Sequence, residues 1–219
     1  MVYELAVKAE GLYRYGAEPR DGSWHEVRPI DETPDDGRRF VYGAEAPTAL
    51  GRAVRTEHVP TEMAWNGPAG TPIPDFEDSY FLNVSERARS AIEDIEPGVH
   101  QFLPVRYVDS AGSLIETRHV FVVCNRVASV DPATTTLILH KGMWRPAADL
   151  KRRSPEAIPA GFDVKQLPVV VFDEARVAGI HFWIDKHLPH QTFMSNTAAE
   201  RLAAEGLTGL ATVERKSAL

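Results

Sequence analysis

Residues 81–105 read FLNVSERARSAIEDIEPGVHQFLPV, a capped amphipathic helix that passes through a Pro-Gly turn into an apolar strand. Ser85 stands where an N-cap hydroxyl can accept an orphan backbone N–H, and Val84 occupies the position of a hydrophobic staple. Ala88, Ala91, Ile92 and Ile95 recur at spacings that keep them on one helical face, with Glu86, Arg87, Arg89, Glu93 and Asp94 toward solvent. Pro97 cannot continue the hydrogen-bond ladder and Gly98 tolerates a left-handed turn, so the helix ends there. Residues 99–108 are rich in β-formers, Asp109-Ser110-Ala111-Gly112 reads as a turn, and residues 114–123 return as a second strand. The stretch therefore predicts a hairpin packed against a helix.

The same punctuation recurs near the C-terminus, where Phe193-Met194-Ser195 precedes a helical window with Ala198, Ala199, Leu202 and Ala203, and Glu205-Gly206 closes it. One repetition is two ordinary caps rather than a solenoid, which needs several units at a regular period. Residues 3–7 predict a short opening strand. Residues 15–37 are broken by glycine, proline and acidic groups and leave room for a short strand around residues 24–27. Residues 60–75, with Pro60, Gly67-Pro68, Gly70, Pro72 and Pro74, read as a connection, although Trp65 argues against a free linker. Further strands are expected within residues 134–140, 166–172 and 180–184, and a loop or short helix within 145–161. Sixteen prolines and fifteen glycines favour short, interrupted elements. The fold class is α+β, a largely antiparallel sheet with a few short packed helices, because the alternating strand and helix units of a doubly wound sheet are missing. The expected organisation is an acidic N-terminal portion, residues 1–74, packed on a main α+β domain, residues 75–219.

Charge is distributed unevenly. Residues 1–80 hold 15 acidic and 8 basic side chains, so the net charge of -7 belongs to that part, and the remainder, with 16 of each sign, is neutral. Asp31-Glu32, Asp35-Asp36 and residues 75–78 are its densest pieces, read either as solvated loops or as a field for a basic protein surface. Such a field disfavours nucleic acid as a partner, and three consecutive basic residues, Lys151, Arg152 and Arg153, are too few and too far from interleaved aromatics to reverse that. They read as a solvated rim or a contact to an acidic partner. Cys124, the only cysteine, lies in an apolar run and reads as a small buried hydrophobe. The opening MVYELAVKAEG lacks a basic segment followed by an apolar one, and no apolar run reaches membrane-spanning length, so a cytoplasmic protein without membrane contact is expected.

Chemistry-bearing residues are sparse. His181, Asp185, His187 and His190 form the one dense histidine cluster and would suit a metal-dependent hydrolase if they converged, but their spacing is not diagnostic and Pro189 should turn His190 away. No glycine-rich phosphate loop and no serine nucleophile elbow is present. Ser85 has a capping role, and adjacent carboxylates such as Glu93 and Asp94 point in different directions on a helix. No cofactor and no catalytic residue is expected. Trp144, beside Arg145 in HKGMWRP, and Trp183, in HFWID, have polar neighbours suited to partly exposed interface anchors, although tryptophans such as these and Trp65 also build cores.

Residues 75–213 resemble the family of bacterial polymorphic-toxin immunity proteins numbered eleven, first catalogued as a domain of unknown function. The resemblance rests on Val84-Ser85-Glu86 opening the helix, Ile92 on its apolar face, Gln101-Phe102-Leu103-Pro104-Val105 after it, and more loosely on residues 120–131, 180–182, Phe193-Met194-Ser195 and Gly209-Leu210. HFWIDKH departs from the shorter strand that relatives carry before the terminal helix. The resemblance implies an antidote that binds a cognate toxin or effector, encoded next door and used in interbacterial competition such as type VI secretion, and covers or distorts its active region. The expected contact residues are Asp31, Glu32, Asp35, Asp36, Trp144, Arg145 and Trp183, and exposed apolar patches could also serve a homodimer. The competing readings are the metal-dependent hydrolase and a regulatory binding module unrelated to toxins.

Overall fold

The computed structural model describes residues 1–8, 15–34 and 47–218. Its strands are β1 (Val2–Val7), β2 (Ala17–Pro19), β3 (Glu62–Trp65), β4 (Phe76–Asp78), β5 (Leu82–Val84), β6 (Gln101–Val108), β7 (Leu114–Val122), β8 (Arg126–Val127), β9 (Ile138–His140), β10 (Met143–Arg145), β11 (Val171–Asp173), β12 (Phe182–Asp185), β13 (Leu188–Ser195) and β14 (Leu210–Ala218). The helices are α1 (Glu86–Ile95), α2 (Ala147–Arg153) and α3 (Asn196–Ala204). The expected strand at residues 24–27 is instead a single 3-10 turn, Trp24–Glu26.

One six-stranded sheet runs β11-β14-β1-β13-β12-β8 and the other β2-β3-β6-β7-β5-β4, with β9 and β10 forming a separate hairpin. Both large sheets are mixed, which corrects the largely antiparallel expectation. β3 runs parallel to β6, β8 to β12 and β11 to β14. Parallel neighbours require long crossovers, so none of these pairs leaves the local turn signature by which a hairpin is read. β1 lies between β13 and β14, and β3 lies beside β6, so residues on both sides of position 74 share both sheets.

The helix caps form as their chemistry predicts. The Ser85 hydroxyl accepts the Ala88 N–H and donates to Asp75, while the Ser195 hydroxyl accepts the Ala198 N–H. Ala88 and Ile92 from α1 and Ala198, Ala199 and Leu202 from α3 enter one core that also takes Leu5, Phe121, Phe182 and Met194 from the two sheets. The opposite faces feed two further cores. Val120 and Val122 alternate with Phe121 and Val123, and Trp183 and Phe193 alternate with Phe182 and Met194. A strand buried on both faces reads as a continuous apolar run, which is why the sequence of β7 and β12 shows so little alternation.

Buried polar groups join these layers. Glu96, 8% exposed just after α1, accepts hydrogen bonds from the Asn125 side chain (2.9 Å), the backbone N–H groups of His181 (3.3 Å) and Phe182 (3.0 Å), and His100 Nε2 (3.0 Å). His100 Nδ1 accepts the Cys124 N–H, which leaves the ring proton on Nε2 facing the carboxylate. Glu77 is likewise internal: Tyr107 donates to it at 2.6 Å, with Asn83 and Ser79 beside it, and burial raises its carboxyl above the usual range despite those bonds. Residues 75–78 are thus not a solvated acidic loop. Asp75 accepts from Ser85 and Thr208 and pairs with Arg87. Among the described residues no helix is long and apolar enough to cross a membrane.

Candidate interaction surface

The β9–β10 hairpin sets Met143 opposite His140, Trp144 opposite Leu139 and Arg145 opposite Ile138. Its two-residue turn needs positive φ at both central positions, which Lys141 (φ 49°) and Gly142 (φ 78°) adopt. Ile138 turns inward onto Ala147 and Leu150 of α2, making a small core of its own. The hairpin is docked on the β12–β13 turn, where the Trp144 N–H donates to the His187 carbonyl (3.1 Å) and His187 Nδ1 meets the Gly142 carbonyl (3.0 Å). Trp144 packs one side against the core of Val130, Phe172 and Trp183, and Leu139 remains 47% exposed beside it. The indole N–H of Trp144 is shielded and has no partner among the described residues. A groove of about 150 Å³ runs past the ring, lined by Val130, Pro132, Leu139, Arg176 and His187. Such a groove, with an aromatic floor and a charged rim, suits capture of a protein side chain.

Trp144 and Arg145, consecutive on β10, face opposite sides of the hairpin, Trp144 over this groove and Arg145 toward α2, and Arg145 is exposed with its guanidinium on the Met143 sulfur (3.1 Å). Asp31 and Glu32 are exposed too, but each has a cation. Arg52 donates to the Asp31 carbonyl (2.7 Å) and lies 3.4 Å from its carboxylate, and Arg55 lies 3.7 Å from Glu32. Hydrogen bonds from Thr33, with the Arg52 charge, hold the Asp31 carboxyl below the usual range. Asp35 and Asp36 lie outside the described residues. A continuous set of contacts connects Asp31 to the hairpin: Arg52 follows Gly51, Arg126 donates to the Leu50 and Lys186 carbonyls, and His187 holds Gly142.

Trp183 is a correction, because it is fully buried and offers no surface. Its indole N–H donates to the Ser129 hydroxyl (3.1 Å), and the polar neighbour that suggested exposure, Asp185, is buried beside it. Asp185 Oδ2 accepts the Ser129 N–H (2.6 Å), the Ser129 hydroxyl (2.8 Å) and the Val130 N–H, and Oδ1 accepts the His187 N–H (2.7 Å). With these donors the carboxylate ties the β12–β13 turn to residues 129–130.

The histidines do not converge. His181 Nδ1 meets the Ser195 hydroxyl, His187 Nδ1 meets Gly142, and His190 sits exposed at φ 74°. Among the described residues no three His, Cys, Asp or Glu side chains are grouped as a metal ion would require. Cys124 is half-buried, and burial pushes its thiol up to about 11, away from nucleophilic use. Leu139 and the neutralising role of Arg52 and Arg55 escaped the sequence reading. Leu137 and Ile138 are both buried while Leu139 is exposed, a pattern strand alternation does not predict, and the arginine partners lie about a score of residues away in sequence, with no local signal.

Compared with protein-family models, residues 54–216 match the one described as Immunity protein family (Imm11). No curated protein matches the chain.

Proposed function

This chain belongs to the Imm11 immunity protein family, and on that premise we propose that it protects its producer by binding a cognate bacterial toxin, encoded beside it, and covering the toxin's active region. The family match over residues 54–216 is the observation that carries the reading. The contact surface wraps the hairpin, with Trp144 and Leu139 on one face and Arg145 on the other, and extends toward Asp31 and Glu32 with their paired arginines. An aromatic anchor over a desolvated groove sets the lifetime of a complex, and the charged rim sets the rate of encounter. Occlusion needs no catalytic group from the antidote. The protein acts in the cytoplasm, where a toxin delivered into the producer would meet it.

Co-expression with the product of the neighbouring toxin gene, followed by size-exclusion mass measurement at moderate salt, tests this reading. A discrete complex that loses affinity in Trp144→Ala is expected. Two folded proteins that elute separately would overturn it.

A further inference from the structure

The hairpin and α2 carry a charge opposite to that of the whole molecule. Residues 140–153 hold five Lys or Arg and one Asp, whereas the chain has a net charge of -7. A cleft of about 330 Å³ opens between the hairpin and the helix, with Lys141, Arg145 and Arg153 around it and Met143 and Leu150 on its apolar wall. Its one acid, Asp149, is engaged by Arg152 at 2.6 Å and leaves the other cations uncompensated. Lys141, Lys151 and Arg153 are exposed and have no ion-pair partner among the described residues. His140 Nε2, in the same wall, is shielded from solvent and has no hydrogen-bond partner there. Lys141 also occupies a left-handed turn position that Asn or Gly would fill at lower conformational cost.

We infer that this cleft receives an acidic, partly apolar protein segment of the partner, whose carboxylates meet Lys141, Arg145 and Arg153 while a neighbouring apolar side chain rests on Met143 and Leu150. The cleft deepens the toxin-binding reading by fixing the chemistry of what is bound, and it rests on that reading only for the identity of the partner. Uncompensated cations beside an apolar wall are complementary to a segment that alternates acidic and apolar residues. A polynucleotide fits less well. The chain as a whole, at -7, disfavours a long polyanion, and the cleft lining contains no Phe, Tyr or Trp on which successive bases could stack.

The test uses the full chain and a short fluorescein-labelled peptide alternating Glu and Leu, with a single-stranded oligonucleotide and phosphatidylserine vesicles as competing probes. The peptide should bind, bind more weakly as salt rises, and lose affinity at least about tenfold in Lys141→Glu/Arg145→Glu/Arg153→Glu. Lys141→Asn/Arg145→Gln/Arg153→Gln, which keeps a residue tolerant of the turn, should show most of that loss with an unchanged unfolding temperature. The same substitutions should slow association with the cognate toxin about as strongly. Peptide binding without any toxin complex would uphold the cleft and remove the toxin reading. A toxin complex with peptide and toxin affinities indifferent to both triple variants would remove the cleft and leave the toxin reading. Tighter binding of the oligonucleotide or the vesicles than of the peptide would overturn the assignment to a protein segment.

Discussion

Replacing Glu96 should unfasten the junction between α1 and the two sheets. Glu96→Ala removes the acceptor for four donors at once: the Asn125 amide, two β12-side backbone N–H groups and His100 Nε2. Leaving a buried donor unmade costs about 1–3 kcal/mol, and dismantling a buried charged network about 3–5 kcal/mol. The two ranges overlap, and we expect a loss of about 4 kcal/mol, or about 8–16 °C for a domain of this size. Glu96→Gln keeps one acceptor oxygen and should lose about half as much.

The effect carries a pH signature. Burial alone would raise the Glu96 carboxyl, but hydrogen bonds from His100 and from the His181 and Phe182 backbone outweigh it and hold the group below the usual range. A carboxyl lowered in the folded state stabilises above its unfolded value of about 4.3 and loses that contribution as pH falls through the folded value. The stability gap between wild type and Glu96→Gln should therefore be widest at neutral pH and narrow below about pH 4. Urea unfolding followed by circular dichroism at several pH values reads both effects. A loss under about 1 kcal/mol for Glu96→Ala, or a gap independent of pH, would refute the reasoning.

The two surface-candidate tryptophans should separate: Trp183→Phe, which gives up the indole bond to Ser129, should cost about 1–2 kcal/mol of stability in urea unfolding without changing toxin affinity. Trp144→Ala should weaken toxin binding at least about tenfold and also cost about 2–3 kcal/mol of stability, because one side of its ring packs on the core of Val130 and Trp183. Gly209→Ala should destabilise by at least about 2 kcal/mol, because Gly209 has φ 81° and a Cβ there would collide with the Phe76 carbonyl; a thermal melt that matches wild type would contradict this. Cys124, with its thiol pushed up to about 11, should react with a disulfide reagent at mildly alkaline pH roughly two orders of magnitude more slowly than a free thiol, and reach the free rate only on unfolding.

What was legible in the sequence was local. Ser85 and Ser195 announce their helices because a cap, an apolar face and a Gly stop lie within one short window. The β6–β7 hairpin is legible for the same reason, its turn being four residues long, from Asp109 to Gly112. The parallel pairs were not, since β3 and β6 meet only after β4, β5 and α1 have been traversed. The same distance effect misplaced Trp183 and residues 75–78. Asp185 looks like a mark of exposure until Ser129 arrives from 56 residues away to satisfy it, and Glu77 looks solvated until Tyr107 covers it. Around the hairpin, the polar neighbours of Trp144 and Arg145 marked their exposure, but the cleft with Arg153 depends on α2 folding back against the hairpin.

The proposed capture of a cognate toxin is read from the mass of the species that elutes when this protein is co-expressed with a candidate toxin and purified at moderate salt. The account predicts one complex of fixed stoichiometry that blocks the toxin's activity and is weakened by Trp144→Ala. Separate elution of two folded proteins, with the toxin fully active beside this chain, would contradict it.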